Sequence, residues 1–352
     1  MYEIKKEPED FIVEEITETG KTLSVNKNYS FNENSEGNHL ICVLIKKNWD
    51  THLALKEISK RLHISRNRIG FAGTKDKKAI TSQLISISDM KKEEAEKVKI
   101  KDIKLIPLYY SNKRISLGNL KGNHFIIKVY SKKKPKQAEN APNFFGEQRF
   151  GKARPITHLV GKAIINGKPE EAVMIYLTKS FDAEKEEVKQ ARERLLEEKD
   201  FKKALEYFPF YLRYEKTLLN HLSEYPGDYI GALRVLPKTL KLMFIHAYQS
   251  YLFNKMLDYM IENKIEEKEL PLVGYESELT EWQKEILKKE NIPIENFHIQ
   301  FLPELSSEGL MRKAFIKLNN FKIIKQEEDY LIIEFSLPKG SYATSVIKYL
   351  FS

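Results

Sequence analysis

Within Gly70–Gln83, GFAGTKDKKAITSQ, one carboxylate lies among three ammonium groups: Asp76 is surrounded by Lys75, Lys77 and Lys78. Lysines in such a loop can gather phosphates. The same positive field keeps the carboxylate ionised, hence nucleophilic or basic, once a substrate excludes water. A charged, solvated turn has the same composition, so residue type alone leaves both readings open. Other chemistries fail on spacing. The loop lacks the GxxxxGK[ST] pattern of a phosphate-binding loop, and no GxGxxG occurs in the chain. The eight histidines show neither HxxxH nor HxH spacing. Cys42 is the sole cysteine, which excludes an internal disulfide and a thiolate metal cage.

The 352 residues are 41% hydrophobic and 31% charged, enough for a sizeable core and for two domains. The formal charge of +9 favours a polyanionic partner: RNA, DNA or an anionic membrane surface. No apolar run approaches the ~18 residues of a membrane span. The opening MYEIKKEPED has no apolar signal-peptide centre. The expected location is cytoplasmic.

The elements that must position Asp76 follow from periodicity. Phe11–Ile16 and His39–Ile45 are β-branched runs bounded by polar loops, and read as strands. Asp50 and Thr51 offer an N-cap to a helix with Leu55, Ile58 and Leu62 on one face. His124–Tyr130 is a further strand. A basic linker, SKKKPK, spans Ser131–Lys136. Residues 183–208 and 240–260 read as helices; the aromatic stripe of the second, with Phe244, Tyr248, Tyr251 and Leu252, reads as core. Leu331, Ile333, Phe335 and Leu337 alternate as a strand, followed by a Pro338–Gly340 turn and a helix capped by Ser341. Leu53–Phe71 can also be read as a DNA-binding helix-turn-helix, with Arg66, Asn67 and Arg68 opening the recognition helix. Two packed helices in any α/β protein would produce that pattern.

GFAGTKDKKAITSQ resembles the signature of the tRNA pseudouridine synthase D (TruD) family. Three further segments resemble the family's in the same order: KKEPEDFIVEEI (Lys5–Ile16), PNFFGEQRFG (Pro142–Gly151) and LPKGSYATSV (Leu337–Val346). HAYQSYLFN (His246–Asn254) and LGNLKGNHF (Leu117–Phe125) are also similar. The matches span nearly the whole chain.

The resemblance implies an α+β fold: a pseudouridine-synthase catalytic domain with a mixed, largely antiparallel sheet and flanking helices, interrupted by a helix-rich inserted domain. The catalytic domain is expected at 1–165 and 317–352, and the insertion at 166–316. It implies conversion of a uridine in tRNA, position 13 of the D-arm, to pseudouridine, without metal or organic cofactor. The implied partner is tRNA, with no membrane and no obligate protein partner. Asp76 falls on the catalytic aspartate, and Lys5 aligns with a basic residue near it. Phe11, Asn143 and Tyr342 fall on substrate-contacting positions, Tyr342 where bacterial members carry Phe. Phe145 falls on the aromatic position beside the target base. Lys75, Lys77, Lys78, Arg149 and Lys152 are expected on the RNA backbone, although Arg149 could equally pair with Glu147. A target base must leave the RNA stack to expose its glycosidic bond. Aromatic faces can then replace lost stacking, about 1–3 kcal/mol per base. Asp76 could attack the sugar C1′, attack uracil C6, or remove a C2′ proton.

Overall fold

The period-2 runs form strands. In the computed structural model, which describes residues 2–352, Leu331, Ile333, Phe335 and Leu337 are all buried, and their strand neighbours Ile332 and Glu334 are half-exposed. The strands in chain order are β1 (Glu3–Ile4), β2 (Phe11–Ile16), β3 (His39–Lys47), β4 (Ile69–Phe71), β5 (Ile80–Ser88), β6 (Ile103–Ser111), β7 (Gly122–Tyr130), β8 (Asn140–Pro142), β9 (Glu269–Leu272), β10 (Leu310–Lys313), β11 (Phe315–Lys317), β12 (Asn319–Gln326) and β13 (Tyr330–Pro338). The helices are α1 (Thr51–Arg61), α2 (Lys92–Glu96), α3 (Thr157–Ile165), α4 (Pro169–Thr178), α5 (Glu186–Glu198), α6 (Phe201–Tyr207), α7 (Arg213–Glu224), α8 (Tyr229–Arg234), α9 (Lys238–Glu262), α10 (Glu281–Lys289) and α11 (Ala343–Leu350). Among the described residues, no helix is long and apolar enough to cross a membrane.

The chain divides into two compact units, one of residues up to 141 with 316–352, the other of 142–315. The first is built on a nine-stranded sheet in the order β12–β13–β7–β2–β5–β3–β6, with β1 added on β7 and β4 on β5. Only β2 and β5 in this sheet run parallel; the other pairs are antiparallel. This is the mixed, largely antiparallel α+β architecture read from the sequence. Leu40, Cys42 and Leu44 of β3 pack on Ala54, Leu55 and Ile58 of α1, while Val43 and Ile45 face Leu23 on the other side. That double burial explains an unbroken apolar run. The helix α11 covers the other half of the sheet, burying Val346, Ile347 and Leu350 against Ile333, Phe335 and Phe11.

The parallel pair positions the signature loop. A parallel connection needs a crossover, and here it runs from β2 through β3, α1 and β4 into β5. Ile12 lies opposite Ile80, and Lys47 at the end of β3 also lies opposite Ile80. The segments preceding β2 and β5, and the end of β3, therefore meet at one end of the sheet.

The second unit is mainly helical. The helix α3, assigned to the first domain in the sequence reading, packs here. A side chain at Gly161 would meet the carbonyl oxygen of Phe244 on α9 at 2.1 Å, so glycine permits the close α3–α9 contact. The expected helix at 183–208 is two, α5 and α6, because Lys199 adopts φ +52° and Asp200 caps the second by accepting from the Lys203 N–H. Phe244, Tyr248 and Leu252 of α9 are core, as expected. Arg192, 2% exposed, donates to Glu184 at 3.0 Å, Glu215 at 2.8 Å and the carbonyls of Tyr176 and Leu177, which satisfies a buried guanidinium.

Two local expectations are corrected. Arg66–Arg68 is one 3-10 turn running straight into β4, so there is no second helix and no helix-turn-helix. Its arginines are spent on backbone: Arg66 donates to the Ile69 carbonyl and Arg68 to those of Ser88 and Asp89. At the C-terminus the N-cap is Tyr342, not Ser341, and no side chain caps α11. The sequence reading also missed β5, β6 and β12 as strands.

Candidate active site

In the first unit, the loop between β4 and β5 holds Asp76. Gly70 on β4 is required by space: a Cβ there would lie 2.2 Å from the Ile115 carbonyl oxygen. Gly73 in the loop itself has nothing within 4 Å of that position. The side-chain amide of Gln83 donates to the Gly73 carbonyl at 3.1 Å. Thr51, the first residue of α1, accepts from the Lys75 N–H at 3.0 Å and donates to the Lys75 carbonyl at 3.3 Å. These bonds pin the loop on the N-terminal side of the aspartate, and on the other side the Asn48 N–H donates to the Ala79 carbonyl at 3.0 Å.

Lys5 and Asp76 meet through the β2–β5 register. The Lys5 ammonium donates to Asp76 Oδ1 at 2.7 Å, with the two side chains 14% and 24% exposed. Its Nζ also lies 3.8 Å from the Phe11 ring centroid, a cation–π contact. Lys5 has φ +59°, a left-handed conformation unusual for a long side chain. Phe11 is 1% exposed, with Phe125 edge-on to its ring. It supports the ammonium that pairs with Asp76, and its ring is covered in this structure.

Lys75 is corrected. Its Nζ donates to Glu15 Oε2 at 2.7 Å, and the two side chains are 3% and 0% exposed. A buried, paired ammonium does not reach a phosphate. Lys77 and Lys78 are exposed, as an RNA contact requires. The neighbouring acids are committed elsewhere. Glu15 Oε1 accepts from the Leu84 N–H at 3.0 Å. Glu14 bonds the His124 ring at 3.1 Å and the Val25 N–H at 2.8 Å. Tyr342 is half-buried at the start of α11, after a strand whose last residue, Pro338, pairs with Gly122.

In the second unit, the segment Pro142–Gly151 is organised by Arg312, which sequence reasoning missed, and by Asn254 and Ser250 of the HAYQSYLFN motif. Arg312 of β10 donates to Asn143 Oδ1 at 2.7 Å, and Asn143 Nδ2 donates to the Lys313 carbonyl at 2.8 Å. A guanidinium only donates and a carbonyl only accepts, so the amide orientation follows. Each end of that amide has capacity for one further hydrogen bond. The Arg312 guanidinium lies 4.1 Å from the Phe145 centroid, and Phe253 meets the same ring edge-on at 5.5 Å. Phe145 is consequently buried at 8% exposure. Asn254 of α9 clamps its backbone, accepting from the Phe145 N–H at 2.9 Å and donating to the Phe145 carbonyl at 3.0 Å. Arg149 Nε donates to Ser250 Oγ at 3.0 Å and so takes this partner rather than Glu147. Lys152 is exposed. The clamp explains why PNFFGEQRFG and HAYQSYLFN occur in one chain: the second motif supplies Ser250 and Asn254 to the first. No signal within either motif points to Arg312.

Replacing Arg312 tests that organisation. Arg312→Met is expected to destabilise the protein by about 1.5–3 kcal/mol, the range for losing a hydrogen bond to a charged group. Arg312→Lys should recover little, because a point ammonium cannot both bond the amide and lie flat on the ring. Urea unfolding of the three proteins measures this.

Sequence and structural comparisons agree over the full length. The family model for tRNA pseudouridine synthase D (TruD) matches residues 2–271 and 261–350. A protein from Methanocaldococcus jannaschii named "Probable tRNA pseudouridine synthase D 1" is 39% identical, over 98% of this chain and 94% of its own length. One from Methanococcoides burtonii, named "Probable tRNA pseudouridine synthase D", is 35% identical over 98% and 92%. The crystal structure of a TruD protein from Methanosarcina mazei superposes with a TM-score of 0.77 at 35% identity, covering 99% of this chain and 93% of that one. With motif order, sheet and full-length similarity in agreement, this chain belongs to the tRNA pseudouridine synthase D family.

Proposed function

We propose that this protein is a tRNA pseudouridine synthase that isomerises a uridine at position 13 of the D-arm, with Asp76 as its catalytic residue. The observation that carries the reading is the Lys5–Asp76 pair: one accessible carboxylate held by an ammonium, on a loop anchored through Lys75 before the aspartate and Ala79 after it, in a chain of this family. The names of the relatives support a tRNA substrate.

The target uridine leaves the RNA stack, and Asp76 begins the reaction at the sugar or at uracil C6. The glycosidic C1′–N1 bond breaks, the uracil rotates within the closed site, and a C1′–C5 bond forms. The proton on C5 is then lost and N1 gains one, so the product is an isomer of the substrate and no cofactor is consumed. Lys5 holds the carboxylate charged and oriented until substrate arrives. Asn143 and Tyr342 are assigned to the substrate, and Phe145 to the target base once RNA binding uncovers its ring. Lys77, Lys78, Arg149 and Lys152 are assigned to the phosphates; Lys75 is not.

The test is to incubate the protein with unmodified tRNA transcripts and map pseudouridine at single-nucleotide resolution. Modification at position 13 is the expected result. Modification at another tRNA uridine would overturn the position, and tRNA binding without any modification would identify an inactive RNA-binding relative.

A further inference from the structure

Lys46 and Lys47 end β3 side by side and have opposite surroundings. Lys47 points to the surface and pairs with Glu9. Lys46 is 0% exposed, and its Nζ donates to two backbone carbonyls, Trp49 at 2.7 Å and Asp76 at 3.0 Å. Among the described residues, no carboxylate forms an ion pair with Lys46. A buried ammonium held only by carbonyls is expensive, and an apolar side chain of similar length would fill the same space. The contact with Asp76 gives the charge a use.

We propose that Lys46 is a positioning residue for Asp76: it ties the Asp76 peptide to the end of β3 and holds a positive charge behind the carboxylate. This inference rests on the reading of Asp76 as catalytic. Lys5 and Lys46 then divide the task. Lys5 bonds the carboxylate and is partly exposed, so substrate and solvent can compete for it. Lys46 bonds the backbone, and nothing from solvent reaches it. When Asp76 exchanges its Lys5 contact for the substrate, the Lys46 bond still fixes where the carboxylate starts.

The charged groups facing Lys46 are few. Asp50, at the N-cap of α1, and Asp76 favour its ammonium form; Lys75 of the same loop opposes it and is itself paired with Glu15. Its register partners, Thr81 on β5 and Ile103 on β6, carry no charge. Burial outweighs the two carboxylates and pushes the ammonium down to about 8. Lys46 is therefore charged at neutral pH and loses its proton as the pH rises through about 8.

The test is single-turnover pseudouridine formation and tRNA binding for the parent, Lys46→Met, Lys46→Arg and Asp76→Asn, with the folded fraction measured by circular dichroism. For folded Lys46→Met, kcat is expected to fall about 10–100-fold with tRNA affinity unchanged, as a small misplacement of a reacting group does. In the parent, kcat should decline as pH rises through about 8. Lys46→Arg, whose guanidinium stays charged, should recover part of the rate and lose that decline. If Lys46→Met fails to fold, the parent's pH profile decides: a decline near 8 that Lys46→Arg removes supports the inference, and a flat profile overturns it. Parental kcat and pH profile in folded Lys46→Met, with only a lower melting temperature, would reduce Lys46 to a structural role and overturn it. Asp76→Asn separates the two failures. If it is active, the catalytic reading fails and takes this inference with it. If it is inactive while Lys46→Met is normal, only the role of Lys46 falls.

Discussion

Asp76→Asn is expected to bind tRNA as tightly as the parent and to form no detectable pseudouridine, a loss of at least ~10³–10⁴-fold in the chemical step. The substitution keeps the shape of the side chain and removes its charge and its basic oxygen. Lys77 and Lys78 remain exposed to attract phosphates. Lys5 loses its anionic partner, which leaves one more cation beside the RNA and makes affinity equal or slightly higher. The neighbouring acids cannot take over. Glu15 is fully buried on Lys75, and Glu14 is held by His124 and the Val25 N–H. Filter binding and single-turnover kinetics on the same preparation read the two effects separately. Substantial turnover by Asp76→Asn would remove the centre of the functional reading.

The buried Lys75–Glu15 pair carries the largest expected effect on stability. Removing one partner strands the other charge in the interior, at roughly 3–5 kcal/mol. Glu15→Ala and Lys75→Met should each lower stability by about that amount, because both side chains are almost fully excluded from water. Lys75→Met should nevertheless leave the salt dependence of tRNA binding by the folded fraction unchanged. Lys77→Ala and Lys78→Ala should do the reverse. Each should leave stability within about 0.5 kcal/mol and flatten the log–log salt dependence of binding by about one. Urea unfolding and binding from low to moderate salt distinguish the lysines. A Lys75→Met protein of parental stability with a flattened salt dependence would restore Lys75 to the RNA-binding set and overturn the structural assignment.

Local pattern was enough for the strands that alternate or run continuously apolar. Phe11–Ile16, the core of β3, most of β7 and the buried face of β13 were legible because a pleated strand sends alternate side chains to opposite faces. The start of α1 was legible because Asp50 at an N-cap satisfies a free N–H, here that of Leu53. Motif order alone was enough to identify the family. The sequence reading missed β5, whose run ITSQLISIS mixes polar and apolar residues on both faces; neighbours on each side bury it, and that burial exists only in the sheet.

Which lysine is exposed was decided by the tertiary structure. Lys75, Lys77 and Lys78 are equivalent in composition, but the loop turns the first inward to Glu15, which is sixty residues away on β2. Phe11 and Lys5 likewise acquire their roles from the parallel register that brings the ends of β2 and β5 together. Lys46 lies between these extremes. The strand read from the sequence stopped at Ile45; Lys46 continues the side of β3 that carries Leu40, Cys42 and Leu44. What periodicity could not supply was the identity of its acceptor. The Asp76 carbonyl is thirty residues away, and only the crossover through α1 and β4 carries it to the end of β3. A strand's own pattern determines which way a side chain points; the pairing of distant strands determines what it meets there.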